Sequence, residues 1–513
     1  MNCNKIYRIT RAAGILSLTL LTACNNFDDI NTNPDSITKA SASMLCTNII
    51  LGNLASGGDN KAYLQPNGLA KYIGYANEKQ LEEQYNSLGS CSFERMTQLP
   101  NIEKMVEYAE GTTMENSYKG VAKFSRAYLF YKLTMRVGDI PYSETNQGAI
   151  GHYRPAYDTQ KDVLLGILDE LKEADAYFAD GVHFEGDPTP FAGDPVKWRR
   201  ASNAFALRIL MSMSKKEGDA SLKLKERFSE IVNGGQLLTD ADGFLGLEYN
   251  SINKHPLSGT NDLFTSRTVI SSLLLDELKR LNDRRLFYFA EPAAIKVGNG
   301  MDENEWDAYV GVDAAMDYAL MTNEYLKGAY SLLNVRYLKD ATCEPRMMVS
   351  YAEQQFILAE ARIRGWITVG SAEEYYKSGV EWALKMQMET KGNEYAHGME
   401  ITPDYIAGYF TGEAAFKNTA EEQLKQIWMQ RYIFNFMQDA EESYFEYRRN
   451  KYPEFPIDPN TNLNLENTSA IPMKWLYPAS ETNYNRENLE AALNSQYGGY
   501  DEVNKLMWIL TEN

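Results

Sequence analysis

The chain has 513 residues, 44% hydrophobic and 24% charged, the balance of a folded protein with ample apolar material for a core rather than of a disordered or fibrous one. Lys+Arg 51 against Asp+Glu 70 gives a net charge of −19, which argues against polyanions such as DNA and against an anionic bilayer surface as electrostatic partners. At about 150 residues per domain the length holds about three domains, or one large body with elaborations.

Lys5, Arg8 and Arg11 form a cationic start without an acid, and Ala12 to Thr22 is an apolar stretch too short to span a bilayer of about 30 Å. Leu21-Thr22-Ala23-Cys24 follows at once, small residues and then a cysteine, so residues 1–23 read as a secretory signal ending in a bacterial lipobox. Cys24 then becomes the N-terminus and carries the acyl chains, each buried CH₂ contributing about 0.8 kcal/mol to membrane attachment. Losing the signal removes three cations and no anion, moving the charge from −19 to −22. Residues 24–40, with Asn25-Asn26-Phe27-Asp28-Asp29 and a polar run after it, read as a tether, and 41–513 as one body.

Period-3.6 patterning dominates that body. Val121, Phe124, Tyr128, Tyr131 and Met135 form one apolar stripe, and Val349, Ala352, Phe356, Ala359, Ile363 and Trp366 form another. Further helices are expected over 158–178, 196–215, 221–233, 269–281, 371–388, 419–437 and 441–450. Breakers such as Gly138-Asp139-Ile140-Pro141 and Gly234-Gly235 sort them into pairs at 118–178, 196–233, 349–388 and 419–450. The predicted fold class is mostly α, with TPR-like helical hairpins as a scaffold and few or short strands. Loop-rich insertions are expected at 57–100, 235–345 and 451–485, and long loops on a rigid frame are where binding usually resides.

Catalytic chemistry leaves little trace. His152, His183, His255 and His397 stand alone, and no H-E-x-x-H, G-x-S-x-G, phosphate loop or G-x-G-x-x-G occurs. Cys46, Cys91 and Cys343 remain after processing, without a C-x-x-C, and read as buried free thiols, with one disulfide left open. The acidic loop at 302–307 could ligate Ca²⁺ but lacks EF-hand spacing and its glycine, so it reads as solvated and no cofactor is expected.

Aromatics carry more. A sugar's C–H face stacks on an electron-rich ring while nearby amides and carboxylates bind its hydroxyls. The rings in irregular segments, Tyr72, Tyr75, Tyr85, Trp306, Tyr309 and Tyr318, are the candidate ligand-binding residues, although packing is the commoner role for any one of them.

Several segments together resemble one family. They are the lipobox with its Phe27-Asp28-Asp29-Ile30-Asn31-Thr32-Asn33-Pro34 opening, Arg136-Val137-Gly138-Asp139-Ile140-Pro141-Tyr142, Trp198 through Arg208, Leu358-Ala359-Glu360-Ala361, Gln430-Arg431-Tyr432 through Arg449, and Tyr477-Pro478-Ala479-Ser480-Glu481. In this order they are similar to the SusD/RagB-like nutrient-binding outer-membrane lipoproteins. The resemblance implies a helical scaffold with a loop-rich ligand surface. It further implies a non-enzyme that captures oligosaccharide, or another nutrient, for a SusC-like TonB-dependent outer-membrane transporter. Asn203, Arg208, Glu360, Arg448 and Arg449 look structural within it, and the absence of Trp over 84–100 departs from many relatives. Acids just after Cys24 are similar to the surface-export signal of some Gram-negative anaerobes, which would place the body on the extracellular side of the outer membrane. Rival readings are a surface-anchored glycan hydrolase using paired carboxylates and a pure TPR scaffold binding only protein.

Overall fold

Helix borders fall where the sequence supplies a cap. The computed structural model describes residues 40–54, 59–76, 81–259 and 263–512; the signal over 1–23, Cys24 and nearly all of the tether lie outside the described residues. Helices of eight or more residues are α1 (Ala42–Leu54), α2 (Asn60–Leu69), α3 (Leu99–Ala109), α4 (Glu115–Val137), α5 (Gln160–Ala179), α6 (Pro195–Ser212) and α7 (Leu224–Gly234). They continue as α8 (Ser272–Arg280), α9 (Tyr318–Leu326), α10 (Tyr351–Ile363), α11 (Ala372–Glu389), α12 (Ala420–Asn435), α13 (Ala440–Asn450) and α14 (Arg486–Tyr497). Thr159, Asp194, Ser350, Ser371 and Thr419 each accept a first-turn backbone N–H at the start of α5, α6, α10, α11 and α12. Each such cap is worth about 0.5–2 kcal/mol.

Consecutive helices pack as hairpins, α4 on α5, α6 on α7, α10 on α11 and α12 on α13, while α5–α6, α6–α10 and α10–α12 contacts join them into one scaffold. The two predicted stripes are its seams: Val121, Phe124, Tyr128, Tyr131 and Met135 are all buried. Phe124 meets Trp198 edge-on at 5.3 Å and Tyr131 meets Phe205 at 5.3 Å, which ties α4 to α6.

The mostly helical expectation holds, and strands are few among the described residues. β1 (Ile73–Tyr75) pairs antiparallel with β3 (Thr268–Ile270), and β2 (Phe244–Leu247) with β4 (Arg346–Ser350). Two helix boundaries need correcting. Residues 268–270 are β-branched and pair with β1, so α8 begins only where Ser271 caps it by accepting from Leu274 N. Val349 likewise lies in β4, and Ser350 delays α10 to Tyr351. The stretch read as loop over 57–100 also contains α2 and the start of α3. Among the described residues no helix is long and apolar enough to cross a membrane.

Charged motif residues are held inside the scaffold. Arg208 donates to Glu353, which also accepts from Arg431 at 3.1 Å; Arg431 lies 2.8 Å from Glu446. Arg449 grips Glu360 with bonds of 2.6 and 2.9 Å and Glu446 with bonds of 2.5 and 3.3 Å. Arg448 satisfies the carbonyls of Met135 (2.6 Å) and Met473 (2.7 Å), and Asn203 bridges Asp175 and Gln236 O. These side chains pair charges and satisfy helix ends, which is the structural role the resemblance implied for them. Cys46, Cys91 and Cys343 are buried free thiols.

Candidate functional site

Residues 71–76, 81–86, 268–333 and 461–463 converge on one face. β3 is the spine: β1 pairs along one side, while Val312 N donates to Ile270 O (2.9 Å) and Leu333 N to Thr268 O (3.1 Å). Gly311 makes that approach feasible, since a Cβ there would sit 2.4 Å from the backbone Cα of Ser272.

Side chains then lock the segments together. Gln84 accepts from Tyr75 N (2.9 Å) through its carbonyl and donates to Ala314 O (2.9 Å) through its amide. Tyr85 donates to Met316 O (2.9 Å), and Thr461 donates to Ala315 O (2.7 Å). Leu463 N donates to Tyr85 O (2.8 Å), and Asn86 reaches Asn462 at 3.1 Å. Beneath them Lys71 is buried, donating to Gln84 O and to Asn86 Oδ1 (2.7 Å); burial pushes its ammonium down to about 7, against a smaller opposing pull from Asp313. A small apolar cluster of Ala76, Val269, Val312 and Met321, backed by Met316, Tyr325, Tyr330 and Leu332, fills the interior of this face.

The six candidate rings divide. Tyr72 is a core post: its ring stacks on Tyr432 at 4.2 Å and its hydroxyl engages Tyr432 O and Ser443. Tyr75 and Tyr85 are buried in β1 and in the Met316 contact. Tyr309 is buried too, 5.0 Å edge-on from Phe287, with its hydroxyl on Glu303 O (2.9 Å). A ring whose faces are covered by protein offers nothing for a sugar to stack on. Trp306 is half-buried, 4.8 Å from the same Phe287. Tyr318 opens α9 behind the Asp317 cap and is half-exposed. Tyr85 and Tyr318 are thus drawn to neighbouring parts of one face, whereas Trp306 and Tyr309 form a separate pair around Phe287.

The partly exposed rings on the loop face are Tyr318, Tyr325 and Tyr330. Tyr325 donates to Ser266 O (3.3 Å) beneath the Arg267 guanidinium at 5.8 Å, and Tyr330 reaches Met316 Sδ at 3.4 Å. Tyr318 and Tyr325 are seven residues apart, two helical turns, so they share the side of α9 that also buries Met321. The residues that weld the face, Lys71, Gln84, Asn86, Thr461 and Asn462, carried no sequence signal of that role. Lys71 finds its partners 13 and 15 positions on, but Gln84, Asn86 and Thr461 reach across 146 to 376 positions. Among the described residues no group of three His, Cys, Asp or Glu is placed to hold a metal ion.

A family model for SusD-like proteins, described as starch-binding and associating with the outer membrane, matches residues 34–478. A SusD homologue from Bacteroides fragilis NCTC 9343 is 38% identical, with a TM-score of 0.88, and the match covers 92% of this chain and 100% of that one. An outer-membrane protein from Bacteroides vulgatus ATCC 8482, named for nutrient binding, is 31% identical with a TM-score of 0.82, over 92% and 100% of the two chains. A second SusD homologue from B. fragilis NCTC 9343 is 29% identical with a TM-score of 0.79, over 93% and 100%. No curated protein matches the chain. With a scaffold of helical hairpins, a welded loop face and a family match across most of its length, the chain belongs to the SusD-like family, described as starch-binding and associating with the outer membrane.

Proposed function

We propose that the chain is a cell-surface lipoprotein, held in the outer membrane by acyl groups on Cys24, that captures oligosaccharide and hands it to a SusC-like TonB-dependent transporter without catalysing a reaction. The match of residues 34–478 to a starch-binding family carries this reading. The loop face supports it: half-exposed Tyr318 and Tyr325 are held on one side of a short helix by a floor that is hydrogen-bonded throughout. Delivery requires release, so capture belongs in the range of about 1 mM to 1 μM, or roughly −4 to −8 kcal/mol. Two stacking rings at about 0.5–1.5 kcal/mol each beyond their area burial, with a few hydrogen bonds to hydroxyls, fall in that range.

Isothermal titration of the mature chain against defined oligosaccharides tests the reading. Binding without product release, weakened about tenfold by Tyr318→Ala with Tyr325→Ala, is the expected result. Shortened saccharide products, or no binding to any saccharide, would overturn it.

A further inference from the structure

A second aromatic surface lies on the scaffold, sharing none of the residues of the loop face. Between β2, the segment after β4's partner and the C-terminal half of α11 is a groove of about 650 Å³, and between α7, α10 and the start of α11 is one of about 590 Å³. Both are lined by Asp240, so they meet there and form one trough.

Half-exposed rings line it, Tyr249 in the first groove and Tyr351 and Tyr375 in the second, while Trp382 is buried beneath the first. Each is fixed from behind. Trp382 donates its indole N–H to Asp240 O at 3.4 Å, Tyr375 donates to Val369 O at 3.3 Å, Tyr351 hydrogen-bonds Ser378, and Tyr249 packs edge-on against His255 at 5.2 Å. Gly243, at φ +71, lies beside Trp382: a Cβ there would meet only the indole's Cζ2, at 3.9 Å. Acceptors line the rim. The exposed Glu248 and Glu389 carboxylates flank the first groove, and Asp240 lies 3.8 Å from Lys385.

The chemistry selects the ligand. An apolar molecule would strand these carboxylates, and a metal ion would need three converging ligands, which the described residues do not assemble. A neutral polyhydroxylated ligand satisfies both halves of the lining, apolar C–H faces on the rings and vicinal hydroxyls on the carboxylates. Two joined grooves with rings in each suit a chain of sugar units better than a single one. We infer that this trough is a second saccharide-binding site, taking a segment of neutral oligosaccharide independently of the loop face. It rests on the saccharide reading proposed above.

Titration of the mature chain with maltoheptaose and with chitohexaose tests it, using Glu248→Gln/Glu389→Gln for the trough and Tyr318→Ala/Tyr325→Ala for the loop face. Both trough positions are exposed, so the fold should survive, as a thermal melt would verify. Expected are two binding events per chain, one weakened about tenfold or more by the trough pair alone. Hydroxyl-radical footprinting of the unaltered chain should show Tyr249, Tyr351 and Tyr375 protected by the saccharide. Unchanged binding in the trough variant with no protection of these tyrosines, while the loop-face variant loses binding, would overturn the second site and leave the first reading standing. A chain that binds neither saccharide nor any other neutral oligosaccharide would overturn both.

Discussion

Removing Arg449 should be among the most damaging single changes in the scaffold. The residue is 5% exposed and makes two bonds to Glu360, two to Glu446 at 2.5 and 3.3 Å, and one to Ser214 at 2.9 Å. Arg449→Met strands two carboxylates, each with partial compensation. Glu360 keeps Arg364 (2.8 Å) and the Trp428 indole (2.9 Å), and Glu446 keeps Arg431 (2.8 Å). Breaking a buried pair from one side costs about 3–5 kcal/mol, and the remaining partners set the lower end of that range. Burial works to raise the Glu360 pKa, but the Arg449 charge and hydrogen bonds, with the charges of Arg364 and Arg431, together outweigh it and hold the carboxyl at about 2. Its stabilisation is therefore present above the ordinary carboxylate value of 4.5 and is lost as pH falls through about 2. Urea denaturation of wild type, Arg449→Met, Glu360→Gln and the double variant measures the effect. The double variant should be less damaged than the sum of the singles by about 0.5–3 kcal/mol, because the amide removes the stranded charge yet still accepts from Trp428. Acid unfolding of Arg449→Met should begin at higher pH than in wild type. A single variant within about 1 kcal/mol of wild type, or strict additivity, would refute the reasoning.

Three further outcomes follow from the loop-rich half. His397, at φ +52, lies 2.9 Å from Glu303 and 3.3 Å from Glu291; burial lowers its pKa, but the two carboxylates together raise it above 6.5. That stabilisation is complete below 6.5 and disappears as pH rises through the raised value, so the melting-temperature gap between wild type and His397→Gln should narrow with rising pH, and a constant gap would contradict it. Lys71 behaves oppositely: its depressed pKa means the cost of burying its charge is full below about 7 and relieved as pH climbs toward 10.5. Lys71→Met should flatten stability over that window, and an unchanged slope would exclude a buried titrating amine. Gly311→Ala drives a Cβ to 2.4 Å from Ser272 Cα and should cost about 1–3 kcal/mol or more, read as faster proteolytic nicking of residues 309–316. Equal nicking rates would show that β3 and the segment beside it are not in such close contact.

Legibility in the sequence followed the range of the interactions. The α4 and α10 stripes could be read directly because local periodicity records which face is buried, and caps such as Thr159 and Ser371 sit next to what they cap. α9 was missed because Tyr318, Met321 and Tyr325 form one narrow side of a nine-residue helix, too short for a repeat to stand out. β1 and β3 are three residues each, and what makes them strands is mutual pairing across nearly two hundred positions. Tyr72, Tyr75, Tyr85 and Tyr309 prove buried for a related reason: nothing near Tyr72, for example, reveals that Tyr432 will cover its face. Tyr318 was identifiable as an irregular-segment aromatic.

The chain's 34 tyrosines explain both the buried candidate rings and the architecture. Irregular backbone brought into a protein interior carries carbonyls that no helix or sheet ladder satisfies, and leaving one unpaired costs about 1–3 kcal/mol. A tyrosine meets that need at reach, filling space with its ring and ending in a donor. Tyr85 supplies Met316 O, Tyr63 supplies Met437 O, Tyr444 supplies Pro472 O, Tyr477 supplies Asp139 O and Tyr497 supplies Val137 O. An abundance of tyrosine among loops is therefore evidence for loops that must be buried and held still, before it is evidence for a ligand. The two meanings converge in a binding protein. A loop face fixed by its own hydroxyl posts loses less conformational freedom when a flexible saccharide lands on it, so modest contacts from a few outer rings suffice for capture.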